Sequence, residues 1–323
     1  MKKPILLHYY ITNRCNARCV FCDIWRERPK ADAELSDVTA NLIQARKAGC
    51  RFVDFTGGEP LLHPDLPEFL RRAKKAGLMT SVTTNCILFE ERAGELAGLI
   101  DLPHFSIDAD SAELHDKIRG CLSYEKVIRS IDAAAANRIY PDLLFTYTEE
   151  NIDAVEGVWK LARKKRLILI LDPVFAAWGP DKIHAQTHRK AADFAKRPGV
   201  YLNRAHLLLR SQGGNRTRSP ICKAPSSTIV ITPDGKLTLP CYHHRCASVN
   251  IDGNLTKALL SVERTEALNK EGRYAFCEGC HINCYFDPTY NTTSGKFLWE
   301  SMKSKAKYAL TKYLLYRRPW PKL

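Results

Sequence analysis

The sequence lacks any run of about 18 consecutive apolar residues, so it predicts no membrane-spanning helix. Acidic residues are scarce, because 35 Asp and Glu stand against 49 Lys and Arg and the net charge is +14. A basic balance favours anionic partners such as acidic lipid or a carboxylated substrate. The short apolar run within residues 1–16 leads to no small-residue cleavage site, which predicts no signal peptide. We therefore expect a cytoplasmic protein, either soluble or peripheral to a membrane.

Cysteine, by contrast, is abundant, with 12 residues in the 323. Without a secretion signal, this content indicates metal or redox chemistry rather than a disulfide framework. The cysteines form an amino-terminal group, a carboxy-terminal group and three singles: Cys15, Cys19 and Cys22; Cys222, Cys241, Cys246, Cys277, Cys280 and Cys284; and Cys50, Cys86 and Cys121. The singles lie beside apolar or turn residues and are predicted to be buried, inert thiols.

The first 175 residues alternate β-like runs with segments of helical period. Six runs are predicted strands: Ile5–Ile11, Phe52–Thr56, Met79–Thr84, His104–Ile107, Leu143–Thr148 and Leu167–Leu171. This alternation is typical of repeated βα units and predicts an α/β fold with a parallel sheet. Six units favour a partial (β/α)6 TIM-like barrel over an open doubly wound sheet, although periodicity alone does not separate the two.

The barrel pattern ends after Phe175. Residues 176–220 show no sustained period, which indicates a linker or lid. Next, Thr228–Ile231 and Lys236–Leu239 flank Pro233-Asp234-Gly235, the pattern of a hairpin. We expect four parts: a barrel core (1–175), a linker or lid (176–220), a small cysteine-rich domain (221–290) and a basic amphipathic tail (291–323).

The amino-terminal cysteines, Cys15-x3-Cys19-x2-Cys22, follow the first predicted strand, in a loop where three thiolates can converge. Thiolates select iron–sulfur clusters or zinc. Three ligands, rather than four, would leave one iron of a [4Fe–4S] cluster open to a small molecule. On the residues alone, zinc held by the three cysteines and His8 remains an alternative.

This loop and a second motif resemble the radical S-adenosylmethionine (SAM) superfamily. The family's three-cysteine motif appears as Cys15-Asn-Ala-Arg-Cys19-Val-Phe21-Cys22, and Thr56-Gly57-Gly58-Glu59-Pro60 matches its glycine-rich segment. The resemblance, which covers about the first 175 residues, implies that SAM chelates the open iron and that Phe21 lies near the adenine. The glycines would allow close backbone approach, and Glu59 would supply a counter-charge to the methionine amine.

Later strands extend the resemblance. Phe105-Ser106-Ile107-Asp108 and the following Arg119 are similar to the fourth-strand signature, which implies that Ser106 and Asp108 face cofactor or substrate. The other interpretation of Arg119 is a surface ion pair. Thr83-Thr84-Asn85 also matches, but Cys86 stands where the family usually has Gly, which leaves the shape of that turn open. Asn151 resembles a polar position near the cofactor and is equally a plausible N-cap.

The carboxy-terminal cysteines resemble the auxiliary-cluster extensions called twitch and SPASM domains. The match is partial, because a full SPASM extension carries enough cysteines for two clusters and Cys246 is out of register here. The resemblance implies one auxiliary [4Fe–4S] cluster held by Cys222, Cys241, Cys277 and Cys280, with Cys284 able to replace one of them. A structural zinc site is the alternative, because Cys-x2-Cys pairs also bind zinc.

The function implied is that of a radical SAM enzyme. A donor such as flavodoxin or ferredoxin would reduce the first cluster, and SAM would yield methionine and a 5′-deoxyadenosyl radical that removes a substrate hydrogen. An auxiliary cluster favours an oxidation or bond-forming modification over isomerisation. Peptide maturation is the alternative function. An electron carrier or a nucleic-acid-binding module would explain neither the Gly57-Gly58-Glu59 segment nor the six βα units.

The tail carries apolar residues at helical spacing: Leu298, Met302, Ala306, Ala309, Tyr313 and Tyr316. Between Lys296 and Arg318 there are seven Lys or Arg and one acid. Such a helix could lie on an anionic membrane or pack on the barrel with a solvated basic face. Membrane contact would suit a lipid-like or tetrapyrrole substrate.

Overall fold

The computed structural model describes residues 3–175 and 183–320, and one ten-stranded sheet runs through both parts. The strand order is β10-β9-β8-β1-β2-β3-β4-β5-β6-β7. The strands are β1 (Leu6–Thr12), β2 (Phe52–Gly57), β3 (Met79–Thr84), β4 (Leu102–Ser106), β5 (Asp142–Tyr147), β6 (Leu169–Pro173), β7 (Val200–Tyr201), β8 (Thr228–Ile231), β9 (Lys236–Pro240) and β10 (Arg245–Asn250).

Helices connect and cover these strands. They are α1 (Leu35–Ala48), α2 (Leu66–Lys75), α3 (Phe89–Leu96), α4 (Ala112–Arg119), α5 (Tyr124–Ala136), α6 (Val155–Lys165), α7 (Ala185–Phe194), α8 (Arg204–Ser211), α9 (Ala224–Ser227), α10 (Leu255–Ala258), α11 (Val262–Asn269), α12 (Asn283–Tyr290) and α13 (Lys296–Ala309). A π-helical segment, Leu310–Leu315, continues α13. Within the described ranges, no helix is long and apolar enough to cross a membrane.

Strands β1 to β6 pair in parallel and in chain order, which confirms the predicted α/β partial barrel. Alternation along the strands separates two faces, as the pleat requires. Leu7, Tyr9 and Phe55 are buried in the core under the helices. The intervening His8 and Tyr10 belong to the opposite face, where polar and aromatic side chains collect.

The predicted hairpin is present, since β8 and β9 pair antiparallel. In addition, β8 pairs in parallel with β1, so that Leu6 lies opposite Thr228 and Tyr9 opposite Ile231. The cysteine-bearing region therefore continues the sheet of the barrel. This long-range pairing depends on backbone groups of a strand edge, which no local pattern reports.

Residues 176–220 contain more regular structure than a linker. Residues 176–182 lie outside the described residues, but α7, β7 and α8 follow them. Helix α7 buries only Thr187, Ala191 and Phe194, too few apolar side chains to show a helical period in the sequence. Strand β7 extends the parallel sheet beyond β6.

The predicted tail helix is present as α13, but its predicted apolar face is only partly right. Met302 lies on the exposed face, whereas Tyr313 is half-buried. The most buried side chains of the tail are polar, and they include Ser301, Ser304 and Lys312.

Candidate active site

Cys15, Cys19 and Cys22 lie together in the irregular loop that follows β1. The buried Asn13 shapes this loop, because its amide donates to the Pro29 carbonyl (2.8 Å) and accepts from the Ala31 backbone N–H (2.8 Å). Burial, together with the nearby Glu59, Cys19 and Cys22, raises the pKa of Cys15 to about 12. Thiols held this way stay protonated unless a metal displaces the proton, which fits a metal-binding role.

The two glycines of the Gly57-Gly58 segment lie against the cysteine loop. Gly58 donates its backbone N–H to the Thr12 carbonyl (2.8 Å), and Glu59 donates its own to the Arg14 carbonyl (2.8 Å). Gly57 has φ +138°, and a Cβ there would lie 1.9 Å from the Thr12 oxygen. A Cβ at Gly58 would lie 2.0 Å from the Arg14 oxygen. Only glycine permits this approach, which fixes the cysteine loop to the end of β2.

Glu59 braces the ends of two strands. Its buried carboxylate accepts hydrogen bonds from Thr84 Oγ1 (2.7 Å) and from the backbone N–H groups of Asn85 (2.8 Å) and Leu61 (3.1 Å). Burial raises the pKa of Glu59, and these three donors oppose the rise. The carboxylate therefore already has three partners within the protein, in addition to any contact with the SAM amine.

Arg119 is buried at the end of α4 and pairs with Asp108 just after β4, with an Nη2–Oδ2 distance of 2.6 Å. Its Nη1 lies 3.7 Å from the Cys19 sulfur, and its guanidinium lies 5.6 Å from the centroid of the Phe21 ring. The surface ion pair considered for Arg119 is thus wrong, because the pair is buried and faces the cysteine loop. Within the described residues, Arg119 Nε is buried without a hydrogen-bond partner. Such a donor fits an anionic group of a ligand.

Asn85 and Cys86 shape the end of β3. The Asn85 amide donates to Asn16 Oδ1 in the cysteine loop (2.8 Å). Cys86 has φ +67°, in the left-handed region that glycine occupies most readily. The turn therefore has the backbone conformation expected of Gly, even though this chain has Cys. Cys86 and Cys50 are fully buried, as predicted for inert thiols, whereas Cys121 is only partly buried.

Asn151 acts as a brace inside the protein. Its Nδ2 donates to the carbonyls of Asp108 (3.0 Å) and Thr146 (3.0 Å), and its Oδ1 accepts from the N–H (2.7 Å) and hydroxyl (3.1 Å) of Thr148. These bonds use every hydrogen-bonding position of the amide. Asn151 therefore has a structural role here, and its contact with the cofactor stays a prediction.

The remaining predicted cofactor residues lie at the same end of the sheet. Ser106 is the last residue of β4 and is buried. Pro60 is buried at the start of the short turn after Glu59, and Phe21 is partly exposed beside the cysteines. Because the carboxyl ends of parallel strands meet at one edge, these side chains share the mouth of the barrel.

Four carboxy-terminal cysteines form a second group of thiols. Burial raises the pKa of Cys222 well above its usual value, and Cys280, Cys241 and Cys277 are close enough to raise it further. The Cys284 thiol lies near Asp172 and Asp54. Its carbonyl accepts from His8 Nε2 (3.2 Å), and His8 Nδ1 lies 3.0 Å from Asp54. His8 and the backbone of Cys284 thus contact the barrel, and the role of Cys284 as an alternative ligand stays a prediction.

Asn215 connects three segments of the second cysteine group by hydrogen bonds, a role that we did not predict from the sequence. It is fully buried; its Oδ1 accepts from the Cys222 N–H (3.1 Å) and its Nδ2 donates to the Cys277 carbonyl (3.1 Å). Its own N–H donates to the Cys280 carbonyl (2.9 Å). At Gly214, a Cβ would lie 2.3 Å from the Gly279 oxygen. In the sequence, the Gly213-Gly214-Asn215 turn ahead of Cys222 is the feature that could have indicated this role.

The donor set of the second group is all sulfur, which suits an iron–sulfur cluster and also suits zinc.

Comparisons with known proteins agree with this geometry. Residues 9–162 match the model of the Radical SAM superfamily. A probable GTP 3′,8-cyclase of Sulfolobus acidocaldarius is 28% identical over 82% of this chain and 89% of its own length. Fe-coproporphyrin III synthase of Methanosarcina barkeri is 25% identical over 51% of this chain and 42% of its own length.

A solved structure extends the similarity to nearly the whole chain. Native anSMEcpe with bound AdoMet and Cp18Cys peptide has a TM-score of 0.61 and 17% identity, over 97% of this chain and 99% of that one. At this identity the similarity establishes the fold, including the cysteine-rich carboxy-terminal region. The matched family segment spans β1 to α6, where the cysteine loop and the glycine segment meet, so residues 9–162 form a domain of the radical SAM superfamily, whose cofactors are a [4Fe–4S] cluster and SAM.

Proposed function

We propose that this chain is a radical SAM enzyme that carries out an oxidation or a bond-forming modification, with its first cluster held by Cys15, Cys19 and Cys22. Once a donor such as flavodoxin or ferredoxin supplies an electron, the bound cluster and SAM provide a 5′-deoxyadenosyl radical that removes a substrate hydrogen. The observation that carries the proposal is the second group of four thiols, three of them buried, in the region whose strands continue the sheet of the barrel.

The protein's part at the first site is to bind and orient. Gly57 and Gly58 bring the backbone of β2 against the cysteine loop, and Glu59 locks the end of β3 to it. The unpartnered Arg119 Nε is a donor for the carboxylate of SAM. Burial of Arg119 and Asp108 keeps water from this part of the mouth, which protects a radical from side reactions.

The second site would hold an auxiliary [4Fe–4S] cluster on Cys222, Cys241, Cys277 and Cys280. If bound there, the cluster would supply an acceptor for one electron of the substrate radical that remains after hydrogen abstraction, and release of one proton would complete an oxidation of the substrate by two electrons. Zinc has no redox activity and would leave the radical without this acceptor. We assign residues 1–175 to the SAM site and 221–290 to the auxiliary site.

For the substrate we favour a lipid-like or tetrapyrrole molecule. The basic tail supports this choice, and Fe-coproporphyrin III synthase, a relative, is named for a tetrapyrrole product. Peptide modification is the second candidate, because the solved structure that matches 97% of this chain contains a peptide beside AdoMet.

The test is formation of 5′-deoxyadenosine by anaerobically reconstituted, reduced protein supplied with SAM. The triple variant Cys15→Ala, Cys19→Ala, Cys22→Ala should form none, whereas Cys246→Ala, an exposed cysteine on β10, should match the wild type. Undiminished cleavage by the triple variant would reject the proposal. Stimulation by a porphyrin or by a peptide then separates the two substrate classes.

A further inference from the structure

The carboxy-terminal helix packs with its polar face inward and its apolar face outward. An exposed apolar row, which we call the outer stripe, consists of Trp299, Met302, Ala306 and Leu310. Trp299 is 58% exposed and Leu310 is 54% exposed. These positions are three or four residues apart, so they follow one side of the helix. Leu314, Leu315 and Trp320 add exposed apolar side chains beyond it.

Buried polar contacts fix this orientation. Lys312 Nζ lies 2.7 Å from Asp142 Oδ2 at the start of β5, and the Tyr308 hydroxyl donates to the same oxygen (2.5 Å). Nearer the start of the helix, Ser304 Oγ accepts from the Arg204 N–H (3.1 Å). Rotating the tail to bury the outer stripe would carry Lys312 away and leave the Asp142 carboxylate buried without its cation. The stripe therefore stays on the surface.

Basic residues surround the stripe. Lys303 lies 4.9 Å from the centroid of the Trp299 ring, and both side chains are exposed. A groove of about 840 Å³ runs alongside between α7, α8 and α13. The exposed charged residues that line it are all basic: Arg189, Lys196, Arg204, Lys296 and Lys303. Glu300, which is only partly exposed, pairs with Arg204 and Lys303. The exposed charges beside the apolar and aromatic side chains are therefore mostly positive.

We propose that the outer stripe docks on an anionic lipid bilayer, with Trp299 and Leu310 entering the headgroup boundary and Lys303 contacting acidic headgroups. Charge complementarity favours this occupant, since anionic lipid matches basic residues beside an apolar face. Exposed tryptophan also favours the boundary between headgroups and acyl chains. The inference is independent of the radical chemistry and of the substrate proposed above.

Flotation of the full chain with vesicles tests the proposal. Phosphatidylcholine vesicles containing phosphatidylglycerol should bind the protein at low salt, vesicles of phosphatidylcholine alone should not, and added salt should weaken binding. The double variant Trp299→Ser, Leu310→Ser should bind about tenfold less or weaker still. Its matched control is Leu260→Ser, Val262→Ser, which removes two equally exposed apolar side chains elsewhere and should float as the wild type does.

Three results would overturn the proposal. The first is equal flotation of the outer-stripe variant and the wild type, and the second is no difference between anionic and neutral vesicles. The third is a wild-type dimer in size-exclusion chromatography that becomes a monomer in the outer-stripe variant, without vesicle binding by either. That last result would assign the stripe to a second copy of the chain.

Discussion

Tyr10 and Tyr242 stack face to face, with their ring centroids 3.6 Å apart and their planes inclined by only 2°. Tyr10 belongs to β1, which leads into the first cysteine group, and Tyr242 directly follows Cys241 of the second. Arg245 covers the Tyr242 ring at 3.9 Å, and the Tyr242 hydroxyl donates to Glu27 (2.8 Å). The stack therefore joins β1, which leads into the first cysteine group, to the segment after β9 that carries Cys241.

Removal of the stack should cost more stability than removal of the hydroxyl alone. Tyr242→Ala should lower the free energy of unfolding by about 3 kcal/mol, because a buried ring and its stacking are lost. Tyr242→Phe keeps the ring and loses the bond to Glu27, which should cost about 1 kcal/mol. Urea denaturation under anaerobic conditions measures both values. Equal losses in the two variants would show that the hydroxyl, and not the stack, stabilises this contact.

Asn215 should control metal content at the second site only. Asn215→Ala removes the bonds to the Cys222 and Cys277 segments, so we expect iron equivalent to one cluster instead of two. Formation of 5′-deoxyadenosine without substrate should persist, because the first cysteine group is untouched. Iron analysis of Asn254→Ala, which alters the exposed N-cap of α10, is the control. Retention of all iron in Asn215→Ala, or stoichiometric zinc in the wild type, would contradict this prediction.

The buried pair of Lys312 and Asp142 should stabilise the attachment of the tail. Lys312→Met leaves the Asp142 carboxylate without its cation and should lower the free energy of unfolding by about 4 kcal/mol. The double variant Lys312→Met, Asp142→Asn should lose clearly less than the sum of the single losses, because no buried charge remains. Lys196→Met, which breaks an exposed pair with Asp193, should cost under about 1 kcal/mol. Additive losses at the buried pair would show that the two side chains do not interact.

Stability should depend on pH through Asp172, whose pKa burial raises to about 6 from a usual value of 3.8. The folded protein holds this proton more tightly than the unfolded chain does. The resulting stabilisation is complete below about pH 4 and is lost as the pH rises through about 6. Asp172→Asn stays neutral, so at pH 7 its free energy of unfolding should exceed that of the wild type by about 3 kcal/mol.

That advantage should disappear near pH 4, where both side chains are neutral. Denaturation curves at the two pH values measure the change, and Asp193→Asn on the exposed end of α7 serves as the control. A variant that is equally stable to the wild type at both pH values would contradict the raised pKa.

The sequence was sufficient for much of the barrel because strand and helix periods are local properties. The predicted strand Met79–Thr84 matches β3 at both ends, and Phe52–Thr56 ends one residue before β2 does. The cysteine loop and the Gly57-Gly58 segment were also recognisable, since a three-thiol loop and a close backbone approach each demand particular residue types. The grouping of Cys222, Cys241, Cys277 and Cys280 was implied by the resemblance to twitch and SPASM extensions, and the proximity of these residues in the structure agrees with it.

Contacts between distant segments were decided by the tertiary structure. Asn215 became visible as an organiser only once the segments of Cys222, Cys277 and Cys280 met around it. Asn151 matched a cofactor position in sequence, but in the structure its side-chain amide donates to the carbonyls of Asp108, just after β4, and Thr146, near the end of β5. A hydrogen bond depends on atoms a few ångströms apart in space, which sequence spacing does not report.

In the carboxy-terminal tail, the sequence determined one property and the tertiary structure decided another. The sequence determined that it is a basic, amphipathic helix, because composition and helical period follow from the residues alone. Which side faces the barrel was decided by the burial of Lys312 against Asp142, two residues that lie far apart in the chain. A buried charge without its partner costs more free energy than a leucine side chain exposed to water. The polar face of the helix therefore packs on the barrel, and the apolar face lies at the surface.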